Sequence, residues 1–144
     1  MSAGLEELYR ELILDHSRHP VGRGDVSHAA HTHHELNPSC GDEITLGLTL
    51  ADGRISELVW EGQGCSISMA SASVMAQLLA EARSDDAFAR IEEFRTMLRS
   101  RGATEPPEAL GDAAAFQGVA KYVMRVKCAM LAWVALEACL KQAA

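Results

Sequence analysis

No hydrophobic stretch in these 144 residues is long enough to cross a bilayer. The apolar run at 129–136 falls far short of the roughly 20 residues a spanning helix needs. Near the start stand Glu6 and Glu7, with no basic region leading into an apolar one, so nothing there reads as a secretion signal. The expectation is a soluble, unsecreted, cytoplasmic protein that does not engage a membrane. Positive charge is also scarce. Thirteen Lys and Arg against twenty Asp and Glu leave a formal charge of -7, which disfavours phosphate-backbone contact and with it nucleic acid as a partner. Internal repeats, low-complexity tracts and linkers are missing, so the sequence reads as one domain over residues 1–144, able to bury a core without disulfides. There is no CxxC pair, and no serine or cysteine has a histidine and an acid placed beside it in sequence as a hydrolase would need.

What is present divides into recognisable elements. Leu5, Leu8, Tyr9, Leu12, Ile13 and His16 recur at helical spacing and predict an amphipathic helix from residue 3 to about 17, ended by Pro20, Gly22 and Gly24. The segment 26–37, holding His28, His31, His33 and His34, has room for a short strand but poor periodicity. From Ile44 the pattern alternates through Leu46, Leu48 and Leu50. "ADGR" then supplies hairpin-turn chemistry and "ISELVWEG" continues extended, which predicts a β-hairpin with one face on a core. The change from glycines to Ala, Ser, Met and Leu across "GQGCSISMASASVMAQLLAEA" marks a strand handing over to a helix, with Cys65 at the junction. Ser84 or Asp85 could cap a further helix that stops near Gly102. "ATEPPEALGD" reads as a loop, and a last helix spans about 117–142. Helix, sheet, then helices gives an α+β class.

The chemistry rests on four cysteines. In a chain expected to be cytoplasmic they are better candidates for metal ligands, reactive thiols or core fillers than for disulfides. Cys40 lies in the Pro and Gly turn "NPSCGD", two residues before Asp42; Cys65 opens a helix; Cys128 sits in "RVKCAML" among cations. Helix starts and nearby cations favour the thiolate, the form that binds metal or attacks sulfur. Cys139 lies eleven residues beyond Cys128, about 16 Å along a helix, and reads as a core residue. Cys40, Cys65, Cys128 and Asp42 could together fill the four positions of a tetrahedral zinc ion, and thiolates also suit iron-sulfur chemistry. Three unrelated buried thiols and an aspartate bonding its own turn remain open alternatives. The histidines read as a solvated loop or interaction surface, although His31 and His33 would share a face in a strand. Ser66, Ser68, Ser71 and Ser73 read as helix-capping and close-packing residues.

"LYRELILDH", "NPSCGDEI", "GQGCSISMASAS", "GVAKY" and "RVKCAMLAW" resemble, in order and separation, the IscU/NifU-like iron-sulfur cluster assembly proteins, and specifically their SufU-type branch. An insertion at about 83–117, and Lys127 where the scaffold branch usually has histidine, resemble the SufU type. The resemblance implies a small three-stranded antiparallel sheet packed against several helices, with three thiols converging at one exposed end. It implies Cys40, Asp42, Cys65 and Cys128 as Zn²⁺ ligands, with iron or a [2Fe-2S] cluster at the same site as the alternative. The implied activity is that of a zinc-dependent sulfurtransferase. Its partner is a pyridoxal-phosphate cysteine desulfurase of the SufS type, and docking exchanges one zinc ligand to free Cys40. That thiol accepts persulfide sulfur and delivers it to a downstream iron-sulfur assembly scaffold complex, with Arg125 steadying charge near the site. The alternative activity is a scaffold on which a [2Fe-2S] cluster is built and transferred. Ser17, after "LDH", and Val123, ahead of Cys128, depart from the family pattern without removing a ligand.

Overall fold

The computed structural model describes residues 3–144. Its first helix, α1 (Ala3–Arg18), carries the expected stripe only in part: Leu12 and Ile13 pack on the core and His16 is buried, whereas Leu8 is 61 % exposed. Three strands follow as an antiparallel meander, β1 (His31–Asn37), β2 (Asp42–Ala51) and β3 (Arg54–Gln63), in the order β1-β2-β3. The β2–β3 connection is the two-residue turn Asp52-Gly53 with φ 54 and 76, the left-handed pair that a type I′ hairpin requires and that Asp-Gly tolerates well. Ile44, Leu46 and Leu48 of β2 are fully buried on the inner face, and β1 brings Glu35, His33 and His31 opposite them on the same face. The weakly patterned segment before the thiol turn is therefore a strand, half-buried on one side and exposed on the other.

Helix α2 (Ser66–Leu79) runs between α1, β3 and α4 (Val123–Ala143). Six of its ten buried residues are Ser or Ala, small enough for close approach, with Met69, Val74, Met75 and Leu79 filling the rest. Two hydroxyls tie it to its neighbours. Ser71 Oγ donates to the Ala129 carbonyl at 2.6 Å and accepts from Trp133 Nε1 at 2.9 Å. Ser73 Oγ accepts the Val21 amide at 2.7 Å and lies 2.6 Å from His16 Nδ1. Of the four serines expected to cap the helix and let it pack closely, Ser71 and Ser73 are thus cross-braces, and the N-cap position falls to Cys65, which offers no side-chain cap.

Helix α3 (Ser84–Arg99) starts after Arg83, also without a side-chain cap, so Ser84 and Asp85 fall in its first turn. Only part of the expected loop at 103–112 is irregular. A 3₁₀ segment, Glu108–Lys121, begins inside it and is broken at Gly111, whose φ 52 and ψ -130 suit a residue without a Cβ. The expected final helix is likewise two pieces, since Tyr122 at φ -117 and ψ 97 separates that segment from α4. Phe94 of α3 stacks on Trp133 of α4 at a centroid distance of 4.0 Å and meets Phe116 edge-on at 5.9 Å. The α+β architecture, with its three-stranded sheet and surrounding helices, is the one expected. No helix among the described residues is long and apolar enough to cross a membrane.

Candidate metal centre

Three chain segments meet where β1, β2, α2 and α4 converge. The first is the turn between β1 and β2. The Asn37 carbonyl accepts the amides of Cys40 at 3.2 Å and Gly41 at 2.8 Å, and Asn37 Oδ1 accepts the Ser39 amide at 3.2 Å. Gly41 closes the turn at φ 72, which leaves Cys40 at its exposed tip. Asp42 follows as the first residue of β2 and is only 2 % exposed. A buried carboxylate needs partners. It finds them in the second segment, the start of α2: Oδ1 accepts the Cys65 amide at 3.0 Å, and the Cys65 thiol donates to Oδ2 at 3.6 Å. Gly64 permits this closeness, because a Cβ there would sit 2.6 Å from both Asp42 Oδ1 and Ser68 Oγ. Ser68 Oγ donates back to the Cys65 carbonyl at 3.0 Å and lies 3.6 Å from its sulfur.

The third segment is the first part of α4, where Cys128 is buried with its sulfur 3.5 Å from that of Cys40. The Cys128 thiol donates to the Met124 carbonyl at 3.7 Å and accepts from Asn37 Nδ2 at 3.8 Å. Burial pushes this thiol well above its usual range, and hydrogen bonding with Asp42, Cys40 and Cys65 pushes it further the same way. The exposed Arg125 guanidinium is raised in turn, first by Cys65, then by Cys128 and more weakly by Cys40, so one cation lies within electrostatic reach of all three sulfurs. Beside the turn a groove of about 260 Å³ opens between β1 and α4, with Leu36, Pro38, Lys127, Met130 and Val134 among its walls.

Ligand atoms of Cys40, Asp42 and Cys128 all lie within 4.8 Å of one another. Zinc–sulfur bonds of about 2.3 Å in a tetrahedron put two sulfurs about 3.8 Å apart. The 3.5 Å between Cys40 and Cys128 is close to that spacing. Cys65 is not a member of that group of three, but its sulfur is directed at the Asp42 carboxylate, 3.6 Å from Oδ2. The donor set fits a borderline-soft divalent ion. The remaining candidates lie elsewhere. Cys139 is buried, its thiol 3.7 Å from the Leu46 carbonyl and 3.9 Å from that of His31. His33 pairs with Glu35 at 2.7 Å, and His28 lies 3.9 Å from Asp25 on the surface. Among the described residues the histidine segment forms no group of three potential ligands.

Asn37 and Gly64 contribute to this centre and are not singled out by sequence, and Ser68, which reads there only as a capping or close-packing residue, contributes as well. An Asn three residues ahead of a turn cysteine is a signal that could have been read, since Asn side chains commonly bond the amide two residues on. The role of Gly64 depends on the approach of Asp42 on β2 and has no local signature, whereas Ser68 bonds Cys65, three residues before it.

The sequence pattern of the NifU-like N-terminal domain matches residues 8–141. The zinc-dependent sulfurtransferase SufU of Bacillus subtilis (strain 168) is 38 % identical over 136 residues, covering 94 % of this chain and 91 % of that protein. The iron-sulfur cluster assembly scaffold protein IscU of Thermotoga maritima is also 38 % identical, over 135 residues and 94 % of each chain. A crystal structure of a candidate iron-sulfur cluster assembly scaffold protein for the SUF system of Fervidobacterium islandicum AW-1 superposes with a TM-score of 0.84 at 33 % identity, covering 94 % of this chain and 98 % of that one.

Proposed function

The chain belongs to the NifU-like N-terminal domain family, and from that premise we propose that it is a zinc-dependent sulfurtransferase of iron-sulfur cluster assembly. It works as one cytoplasmic domain. Its sulfur donor is a pyridoxal-phosphate cysteine desulfurase of the SufS type, and its recipient is a downstream scaffold complex. The ligands are Cys40, Asp42, Cys65 and Cys128. One observation carries the reading: a single exposed thiol, Cys40, stands at the rim of a group whose other members are buried or half-buried.

Zinc at this site supplies a positive charge that keeps coordinated thiols deprotonated and shielded from oxidation. The chain's own residues do the rest. The tight turn from Asn37 to Gly41 holds Cys40 outward, where a partner's persulfide can reach it. The Cys40 thiolate attacks the outer sulfur of that persulfide; a new sulfur–sulfur bond forms, the donor's own sulfur–sulfur bond breaks, and the donor cysteine leaves as thiolate. Arg125, exposed beside the three sulfurs, offsets the negative charge that accumulates there. Asp42 holds the start of α2 against the turn through the Cys65 amide, keeping Cys65 and Cys128 behind as Cys40 takes up sulfur.

Incubation with the desulfurase and free cysteine, followed by intact-protein mass spectrometry, tests this. The expected result is one added sulfur on the wild-type chain, about one zinc per chain by metal analysis, and no added sulfur on Cys40→Ser. Sulfur uptake by Cys40→Ser equal to wild type removes Cys40 from its role. A stable [2Fe-2S] absorption after anaerobic reconstitution, with transfer to an apo acceptor, would make the scaffold activity the better description. Lys127 weighs against that outcome, because it lies on the groove beside Pro38 and a protonated lysine has no lone pair to give a cluster.

A further inference from the structure

We propose that Asn37 is a positioning residue that couples the two sulfurs of Cys40 and Cys128, the first by building its turn and the second by donating a hydrogen bond to it. The role rests on the ligand set proposed above. Asn37 is 5 % exposed and closes the β1–β2 ladder opposite Asp42, so it belongs to the stiff end of the sheet rather than to the tip that carries Cys40. Its carbonyl and both side-chain polar atoms are engaged by the turn that carries Cys40 or by Cys128 itself. Its carbonyl takes the Cys40 and Gly41 amides at 3.2 and 2.8 Å, its Oδ1 takes the Ser39 amide at 3.2 Å, and its Nδ2 points at Cys128 Sγ at 3.8 Å.

The orientation of the side-chain amide follows from these partners. Its oxygen must face the Ser39 N–H, which is a donor only, and that turns its nitrogen towards a sulfur. As a neutral thiol Cys128 directs its own hydrogen at the Met124 carbonyl, 3.7 Å away, and as a thiolate ligand it has lone pairs to spare, so in either state it can accept. A donor held against a ligating sulfur draws charge from it and fixes its direction, the way outer partners orient ligands around metals generally. Because the same residue builds the Cys40 turn and donates to the Cys128 sulfur, it is tied to both sulfurs of the pair that lies 3.5 Å apart.

Two substitutions separate the turn from the donor. Asn37→Asp keeps a carboxylate oxygen for the Ser39 amide and loses the N–H. Asn37→Ser keeps a shorter hydroxyl for a similar turn, loses the donor at that reach, and adds no charge. Zinc affinity of the full chain is measured by competition with a chromophoric chelator, and the cobalt-substituted protein is examined for its sulfur-to-metal charge-transfer absorption. The expected result for both variants is a zinc affinity about 10- to 100-fold weaker, the loss typical of outer-partner changes, together with a shifted charge-transfer band. A melting point lowered in the metal-free protein, with wild-type zinc affinity and an unmoved cobalt band in both variants, overturns the role and leaves Asn37 a turn residue only. Failure of the wild-type chain to bind zinc overturns the proposed function and this role together, whereas equal binding by wild type and both variants overturns this role alone.

Discussion

Cys128 and Cys139 are both fully buried on α4, yet only Cys128 has another sulfur and a carboxylate as neighbours. Cys139 faces the carbonyls of Leu46 and His31, and burial pushes its thiol up to about 11 from an ordinary 9.0. Between these two values the folded chain keeps a proton that the unfolded chain releases, so alkali stabilises the unfolded state and net stability falls as pH rises. The contribution is intact below pH 9 and is lost progressively towards pH 11. Thermal melts of the zinc-free protein across that range are expected to show this decline, and Cys139→Ala to show a shallower one. Equal slopes in the two proteins would remove Cys139 as a source of the effect. The separation of Cys139 from the other thiols is legible in sequence, because its distance along one helix forbids a shared ion. The convergence of Cys40, Asp42 and Cys128 is not a matter of spacing at all: 88 residues separate the two cysteines whose sulfurs lie 3.5 Å apart. Turn chemistry and cations point to each thiol singly, and motif resemblance groups them. Asn37 reaches Cys128 through a contact that appears only when the segments are side by side, whereas Ser68 bonds Cys65 within the first turn of its own helix.

At the scale of elements, patterns are legible where one face is buried and the other wet. The β2–β3 hairpin has clean alternation and an Asp-Gly turn, and it forms where expected. β1 has the same geometry but puts two histidines and a glutamate on its inner face, where aliphatic residues would make the period visible. The segment at 108–121 is dominated by small residues and held as a 3₁₀ coil, with a break at Tyr122 that neither composition nor a proline announces. The region from α3 to that coil is anchored by one aromatic group, Phe94 stacked on Trp133 and meeting Phe116, with Arg95 bonded to Glu137 of α4 at 2.7 Å beside it. Phe94 is 0 % exposed, and truncating such a ring leaves a cavity in the core. Phe94→Ala is therefore expected to cost about 3–5 kcal/mol in chemical denaturation, with zinc content per folded chain unchanged, because no part of the ring belongs to the thiol centre. Loss of zinc in step with stability would mean that α3 supports the centre through α4.

For the molecule as a whole, the thiol centre sits at an edge of a core that is complete without it. Trp60, Trp133, Phe94, Ile44 and Leu46 are fully buried, and the core they belong to joins the sheet to α2, α3 and α4 through side chains alone. Cys40 and Asp42, Cys65, and Cys128 belong to three separate segments, so an ion held by all four would also act as a staple across the sheet end, the β3–α2 junction and α4. These two facts pull towards different outcomes on metal removal. A small chain with little core unfolds when its zinc is chelated, because metal binding and folding are one step. Here most of the apolar area is buried elsewhere, and chelation should remove only the binding contribution. At free zinc 1,000-fold above the dissociation constant that contribution is about 4 kcal/mol, which for a domain of this size corresponds to a melting temperature lower by roughly 10–15 °C. The expected result is a zinc-free protein that melts earlier in a single cooperative transition, with the far-ultraviolet circular dichroism of the loaded form at 25 °C. Collapse of that signal on chelation would make the metal a structural element of the fold. A preserved signal with lost sulfur uptake places the ion's contribution in the chemistry of the exposed cysteine.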